Sequence, residues 1–164
     1  MNFFDNQTKT FIFKLHNNIL GITSRVAHFV RGYPHTCTFC DILQVPEENS
    51  ESTYHLFFEC DVIDQLLTGF FNWIFNGHNI VVNAQTFFVT FNNENKNKNY
   101  VLRIICLLVK KYIWDCKVRS QLPELGDLKH IISNDLKKML KMSRTFRSHV
   151  IKSGLENESI IFRF

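Results

Sequence analysis

Three cysteines and one histidine stand at a spacing that suits a single metal ion. The chain reads C-T-F-C at residues 37–40 and, fourteen residues later, H-L-F-F-E-C at residues 55–60. Cys37, Cys40, His55 and Cys60 offer three thiolates and one imidazole, which is the donor set of a closed tetrahedral zinc site. Because the protein fills all four positions, no position is left for a reactive water, and the predicted zinc is structural rather than catalytic.

The residues themselves leave two alternatives to this ligand set. The cysteines are also small hydrophobic side chains that pack well in a core without any metal. His35 stands two residues before Cys37 and competes with His55 as the fourth ligand. We favour His55 because it is paired with Cys60 in the same short segment.

The five-residue spacing of His55 and Cys60 does not fit a regular α-helix if both residues bind one metal ion. The sequence predicts a helix that starts at Ser52 or Thr53 and carries both residues. Residues five apart lie about 140° from each other around an α-helix. Both side chains can therefore reach one ion only if the helix end deforms or if Cys60 lies in a looser last turn.

Helical spacing of apolar side chains extends over most of the chain and predicts a mainly α protein. A stretch rich in β-branched and aromatic residues, 80–91, is either a short strand pair or an ordered loop, and 159–164 is a candidate strand. The predicted organisation is a zinc-stapled helical module (1–91), a polar linker (92–99) and a basic helical tail (100–164). The predicted helices cover 8–20, ending at Gly21, then 23–30, 52–60, 62–75, 100–121 and 125–143.

The charge is distributed unevenly along the chain. Residues 1–100 hold six Lys or Arg against nine acids, whereas residues 101–164 hold thirteen against six. A basic surface of this kind favours a polyanionic partner such as RNA or DNA, and a set of solvated helix faces is the alternative. The residues predicted to contact nucleic acid are Lys110, Lys111, Lys117, Arg119, Lys137, Lys138, Lys141, Arg144 and Arg147, with weaker contributions from Arg25 and Arg31.

Several other features exclude function classes. The five cysteines form an odd set in a chain without a secretory signal, which indicates a reducing, intracellular compartment. Cys106 and Cys116 lie about 15 Å apart along a predicted helix, so they cannot share a metal and are expected in the core. The most apolar run, 101–114, contains three basic residues and is too charged to span a membrane. We find no nucleophile elbow, phosphate loop or catalytic metal motif, so we expect neither enzymatic activity nor a small-molecule substrate.

One family shares the order of these features. The run L-H-N-N-I-L-G-I-T-S-R-V-A-H-F is followed by C-T-F-C, by an acid at Glu51, by H-L-F-F-E-C and by Trp73 near the end of the next helix. This order resembles the zinc-binding domain that follows the reverse transcriptase in non-LTR retrotransposon polyproteins. The resemblance covers about residues 8–76, and the helical stretch that ends before Leu122 and Pro123 resembles the tail seen after that domain.

The resemblance implies a zinc-stabilised module that helps a polymerase grip its template RNA or target DNA. A reverse transcriptase or endonuclease polypeptide would be its protein partner. The chain carries no Y-x-D-D aspartate pair, so polymerase activity is not implied. Two alternatives stay open, namely a protein-interaction or scaffold module and a decayed retroelement fragment with no independent activity.

Overall fold

A computed structural model describes residues 4–44, 50–74 and 96–155 of the chain. Every regular element within these ranges is helical, which confirms the predicted mainly α class. The candidate strands at 80–91 and 159–164 lie outside the described residues. The elements are α1 (Asn6–His16), α2 (Thr23–Ala27), α3 (Thr38–Ile42), the π-helix π1 (His55–Glu59), α4 (Asp61–Ile74), α5 (Lys96–Val118), α6 (Leu125–Met142) and α7 (Arg144–Ser153).

The described residues fall into two compact units. The metal unit comprises residues 4–44, 50–66 and 110–123, and the helical unit comprises residues 67–74, 96–109 and 124–155. Of the predicted linker, residues 92–95 lie outside the described part, and α5 already begins at Lys96. The predicted division at residues 91 and 100 stays a prediction.

Apolar side chains at helical spacing build the core of each unit. In the metal unit the fully buried side chains include Phe39, Leu56, Phe57, Ile63 and Ile113. In the helical unit the buried residues of α6 are Leu128, Ile132, Leu136, Met139 and Leu140. This is the stripe that the sequence predicts for 125–143, because spacings of three and four residues return a side chain to the same face of a helix.

Helix α1 starts earlier than predicted because Asp5 caps it. The Asp5 carboxylate accepts a hydrogen bond of 2.7 Å from the Thr8 backbone N–H. Aspartate is among the residues preferred at this position, since its side chain satisfies an amide that has no partner inside the helix. The predicted start at residue 8 overlooked this signal.

Helix α1 also ends earlier than predicted, and Gly21 is not its cap. Asn18 adopts a left-handed conformation with φ of 52°. The Ile19 N–H donates to the Lys14 carbonyl at 2.8 Å, and the Asn18 N–H donates to the Leu15 carbonyl at 3.1 Å. This hydrogen-bond pair closes a helix end in the way that glycine usually does, and asparagine is the commonest substitute.

Helix α5 ends in the same way, and its end fixes the position of Lys117. Ser120 has φ of 52°, the Gln121 N–H donates to the Cys116 carbonyl at 3.0 Å and the Ser120 N–H donates to the Lys117 carbonyl at 2.9 Å. The helix therefore stops at Val118, and Pro123 is not what ends it. Lys117 lies in the last turn, with its backbone held by this closure.

Asp5 gives the first testable expectation. The hydrogen bond from Thr8 lowers the pKa of the Asp5 carboxyl below its ordinary value of 3.8. Its contribution to stability is therefore complete above about pH 4 and is lost as the pH falls through the lower folded-state pKa. Asp5→Ala should cost about 1 kcal/mol at neutral pH in urea unfolding. Asp5→Asn retains the cap without titrating, so a loss equal to that of Asp5→Ala would contradict the capping role.

Candidate metal centre

The four side chains singled out by the sequence meet in the interior of the metal unit. Cys37, Cys40, His55 and Cys60 are all buried, and their ligand atoms all lie within 4.8 Å of one another. A buried cluster of three thiols and one imidazole can bind a metal ion such as zinc. His35 is exposed and does not belong to the cluster.

The distances inside the cluster fit one tetrahedral ion. Cys40 Sγ lies 3.6 Å from His55 Nε2 and 3.6 Å from Cys60 Sγ. Two donors of a tetrahedral zinc ion, with bonds of about 2.0 to 2.3 Å, stand about 3.5 to 3.8 Å apart. A disulfide would require a sulfur separation of about 2.05 Å, and the cysteines are free. The residues present therefore fit a metal and not a cross-link.

Helix α3 brings the first two cysteines together. Cys37 is the residue that precedes α3, with extended backbone angles, and Cys40 lies in its first turn. The Asp41 N–H donates to the Cys37 carbonyl at 2.9 Å, which closes that turn. A two-residue spacer folded in this way directs both sulfur atoms to the same side of the turn.

A π-helix brings His55 and Cys60 to the same side of the backbone, as their five-residue spacing requires. The residues His55–Glu59 form π1, and the Cys60 N–H donates to the His55 carbonyl at 3.0 Å. A hydrogen bond to the fifth residue widens the turn, so residues five apart come close to the same face. The expectation that the helix must deform is confirmed, and the form of the deformation is one π turn.

The start of this helix is capped as the sequence suggests. The Ser52 hydroxyl accepts a hydrogen bond of 2.8 Å from the His55 backbone N–H. The cap and the π turn fix the backbone of His55 from both sides. The backbone of His55 is therefore held by local hydrogen bonds, independently of any contact that its imidazole makes.

The surroundings of the Cys37 thiol favour its neutral form when no metal is bound. The hydrogen bond with Cys60, and then burial, raises the pKa of the Cys37 thiol above its ordinary range. A bound divalent cation reverses this balance, because its charge stabilises the thiolate form.

One buried carboxylate ties the loops of the cluster together. Glu51 is 0% exposed, its Oε1 accepts from the Thr23 N–H at 2.8 Å and its Oε2 accepts from the Thr38 N–H at 3.2 Å. The Glu51 N–H in turn donates to the His35 carbonyl at 2.9 Å. Because Thr38 stands between Cys37 and Cys40, Glu51 positions the backbone that carries both sulfur ligands.

Lys117 neutralises this carboxylate from a distant part of the chain. Its Nζ lies 2.5 Å from Glu51 Oε1, with the two side chains 7% and 0% exposed. The same Nζ donates to the Thr38 hydroxyl at 3.0 Å. A buried charge is tolerated when it is paired and hydrogen-bonded. Glu51, Lys117 and Thr38 thus form a polar network beside the metal ligands.

Sequence reasoning assigned Lys117 to a nucleic-acid surface and did not find this network. Lys117 follows the buried Ile113 by four residues and therefore continues the apolar face of α5. This position on the buried face of the helix was the one feature of the sequence that could have predicted burial of Lys117. The partner, Glu51, is 66 residues away, and no local pattern connects two residues at that separation.

The other predicted nucleic-acid residues divide into two groups. Lys110 is buried, Lys111 pairs with Asp115, and Arg119 donates to the Asp115 carbonyl at 3.1 Å. The second group is exposed on α6 and α7, and we call it the basic face. Its members are Lys137, Lys138, Lys141, Arg144 and Arg147.

Comparison with known proteins identifies no family. The chain matches no protein-family model, no curated protein and no solved structure. Within the described ranges, no helix combines the length and the apolar character that crossing a bilayer requires. The chain is a helical protein with a buried site of three cysteines and one histidine that can hold a metal ion.

Proposed function

We propose that this chain is a non-catalytic nucleic-acid-binding module folded around a structural zinc ion. The proposed role in nucleic-acid binding rests on the resemblance of the sequence to the domain that follows the reverse transcriptase of non-LTR retrotransposons. The observation that carries it is the buried cluster of Cys37, Cys40, His55 and Cys60, which occurs within the order of motifs that resembles that domain.

The donor set favours zinc over the other common divalent ions. Thiolate and imidazole ligands suit zinc, whereas magnesium and calcium prefer oxygen. The four donors leave no open position, so the ion would hold the loops in place and would not activate water. Free cysteines in such a cluster also accord with a reducing, intracellular location.

The basic face supplies the charge for nucleic acid. Its five side chains are exposed, and lysine and arginine bind phosphate oxygens with release of counterions. Lys110 and Lys117 leave the proposed set because they are buried. The apolar side chains of 62–74 and 101–116 that would favour a scaffold role are mostly buried in the described residues, so they give that alternative no support.

The test is a titration of the zinc-loaded protein with labelled RNA and DNA oligonucleotides over a salt series. We expect the logarithm of the affinity to fall linearly with the logarithm of the salt concentration, with a slope of about −0.7 to −0.9 for each phosphate neutralised. Lys141→Gln should make this slope shallower by about one unit. Lys152→Gln removes an equal charge from the last turn of α7 and is the matched control. Absence of binding even at about 50 mM salt would contradict the proposal.

A further inference from the structure

Two aromatic side chains stand exposed in the segment between α2 and α3. We call residues 28–35 the aromatic loop. Phe29 is 84% exposed and Tyr33 is 38% exposed, and every residue from 28 to 36 is exposed. Phenylalanine has no polar group that water could solvate, so this exposure leaves most of a large apolar ring in contact with solvent.

The aromatic loop is an ordered structure and not an extended strand of chain. Helix α2 ends at Ala27, earlier than the predicted 30, but hydrogen-bonded turns continue beyond it. The Val30 N–H donates to the Val26 carbonyl at 2.9 Å, and the Tyr33 N–H donates to the Val30 carbonyl at 3.1 Å. Gly32, with φ of 81°, allows the reversal between the two aromatic residues.

Glu51 fixes the end of the aromatic loop and the start of the helix that leads into it. Its carboxylate accepts from the Thr23 N–H at 2.8 Å, and its own N–H donates to the His35 carbonyl at 2.9 Å. The loop therefore ends at the network that also holds Cys37 and Cys40, and the helix before the loop begins there. Rigid presentation of a ring lowers the entropy that a partner must overcome to bind it.

The stretch of sequence that contains the aromatic loop is positively charged. Between Asp5 and Asp41 the sequence contains no aspartate or glutamate, while it contains Lys9, Lys14, Arg25 and Arg31. Arg31 is exposed between the two aromatic residues, and no carboxylate in the described part of the chain pairs with it. Positive charge attracts a polyanion but contributes little to binding of an apolar protein surface or a neutral ligand.

We propose that the aromatic loop binds unpaired bases of single-stranded nucleic acid. Phe29 and Tyr33 stack on bases, and Arg31 contacts the adjacent phosphates. Aromatic side chains beside basic ones are the usual means of holding single strands, because every base presents a face for stacking. This inference rests on the proposed function and names its substrate class, since a duplex keeps its base faces covered.

The experiment follows the fluorescence anisotropy of labelled nucleic acids as the protein is added. The single-stranded probes are uridine and thymidine homopolymers of about ten nucleotides, and the comparison probe is a duplex of equal length. Wild-type protein should prefer the single strand, and Phe29→Ala and Tyr33→Ala should each weaken that binding about tenfold. Phe29→Trp should retain it. Phe13→Ala removes another exposed ring, 62% exposed on α1, and should leave the affinity unchanged.

Salt dependence separates stacking from charge. Phe29→Ala should lower the affinity at every salt concentration without changing the slope. Arg31→Gln should make the slope shallower by about one unit. Because the substituted side chains are exposed, thermal melts of the variants should match that of the wild type.

The possible outcomes distinguish this inference from the proposed function. If the wild type binds nucleic acid and Phe29→Ala binds it equally well, the inference is wrong and the proposed function stands. If Phe29→Ala weakens duplex and single-strand binding to the same extent, base stacking is likewise overturned. If the wild type binds neither probe at low salt, both proposals fail. If the wild type instead binds a protein and Phe29→Ala does not, the partner of the loop is a protein and the inference is wrong.

Discussion

Removal of the proposed zinc ion is expected to unfold the metal unit. Structural zinc contributes about 10 to 16 kcal/mol of apparent binding free energy in small peptides, which is comparable to the whole stability of a domain. Two of the largest fully buried side chains of this unit, Phe39 and Phe57, lie in the short elements that carry the ligands. An excess of chelator should therefore abolish much of the helical circular dichroism and lower the melting temperature by tens of degrees.

Two cysteine variants sharpen this expectation. Cys60→Ala removes a ligand and should reduce bound zinc, measured by metal analysis of the purified protein. Cys116→Ala removes a buried cysteine of the same unit that lies outside the cluster. It should cost only about 1 kcal/mol and leave the zinc content at one ion per chain. A purified wild type without zinc, whose melt a chelator does not change, would refute the metal site.

Lys117→Met is expected to be the most damaging single change at a charged residue. Loss of one partner of a buried ion pair costs about 3 to 5 kcal/mol, because the other charge is left uncompensated. Here the remaining charge is Glu51, which also accepts two backbone N–H groups. Because one of those groups belongs to Thr38, between two ligands, we also expect zinc affinity to fall about 10- to 100-fold.

Two further variants test whether the pair acts as a unit. The double variant Glu51→Gln/Lys117→Met should lose less stability than the sum of the two single variants, since neither charge is then left alone. Lys111→Met makes the same substitution on the same helix, at a partly exposed pair with Asp115, and should cost less than about 1 kcal/mol. If Lys117→Met and Lys111→Met lowered the free energy of unfolding in urea equally, burial of the Glu51–Lys117 pair would not contribute to stability as we expect.

The sequence predicts the donors of the site but not the backbone that joins them. Residue type and spacing identify Cys37, Cys40, His55 and Cys60, because a metal constrains both. The π turn at His55 departs from the period of 3.6 residues on which helix prediction depends. The spacing of five residues indicated that a distortion was needed and could not state which one.

Long-range polar pairs and helix ends mark the other limit of sequence reasoning. The buried stripe of α6 follows from local periodicity alone, and it is found where predicted. The pairing of Glu51 with Lys117 depends on how distant segments meet, which no window of sequence contains. Asn18 and Ser120 end their helices in a conformation that glycine usually adopts, so a prediction from Gly21 misplaces the end of α1 and a prediction from Pro123 misplaces the end of α5.

The separation between Glu51 and Lys117 has a consequence for the nascent chain. All four cluster residues have been translated once residue 60 has been added, but Lys117 follows Glu51 by 66 residues. At elongation rates of about 5 to 20 residues per second, the time between addition of residue 60 and addition of residue 117 is about 3 to 11 s. During that time the growing polypeptide possesses a complete set of metal donors and an acid whose counter-charge has not yet been translated. Binding of the proposed zinc ion can thus precede formation of the Glu51–Lys117 pair, which the last turn of α5 completes after all four candidate ligands have been made.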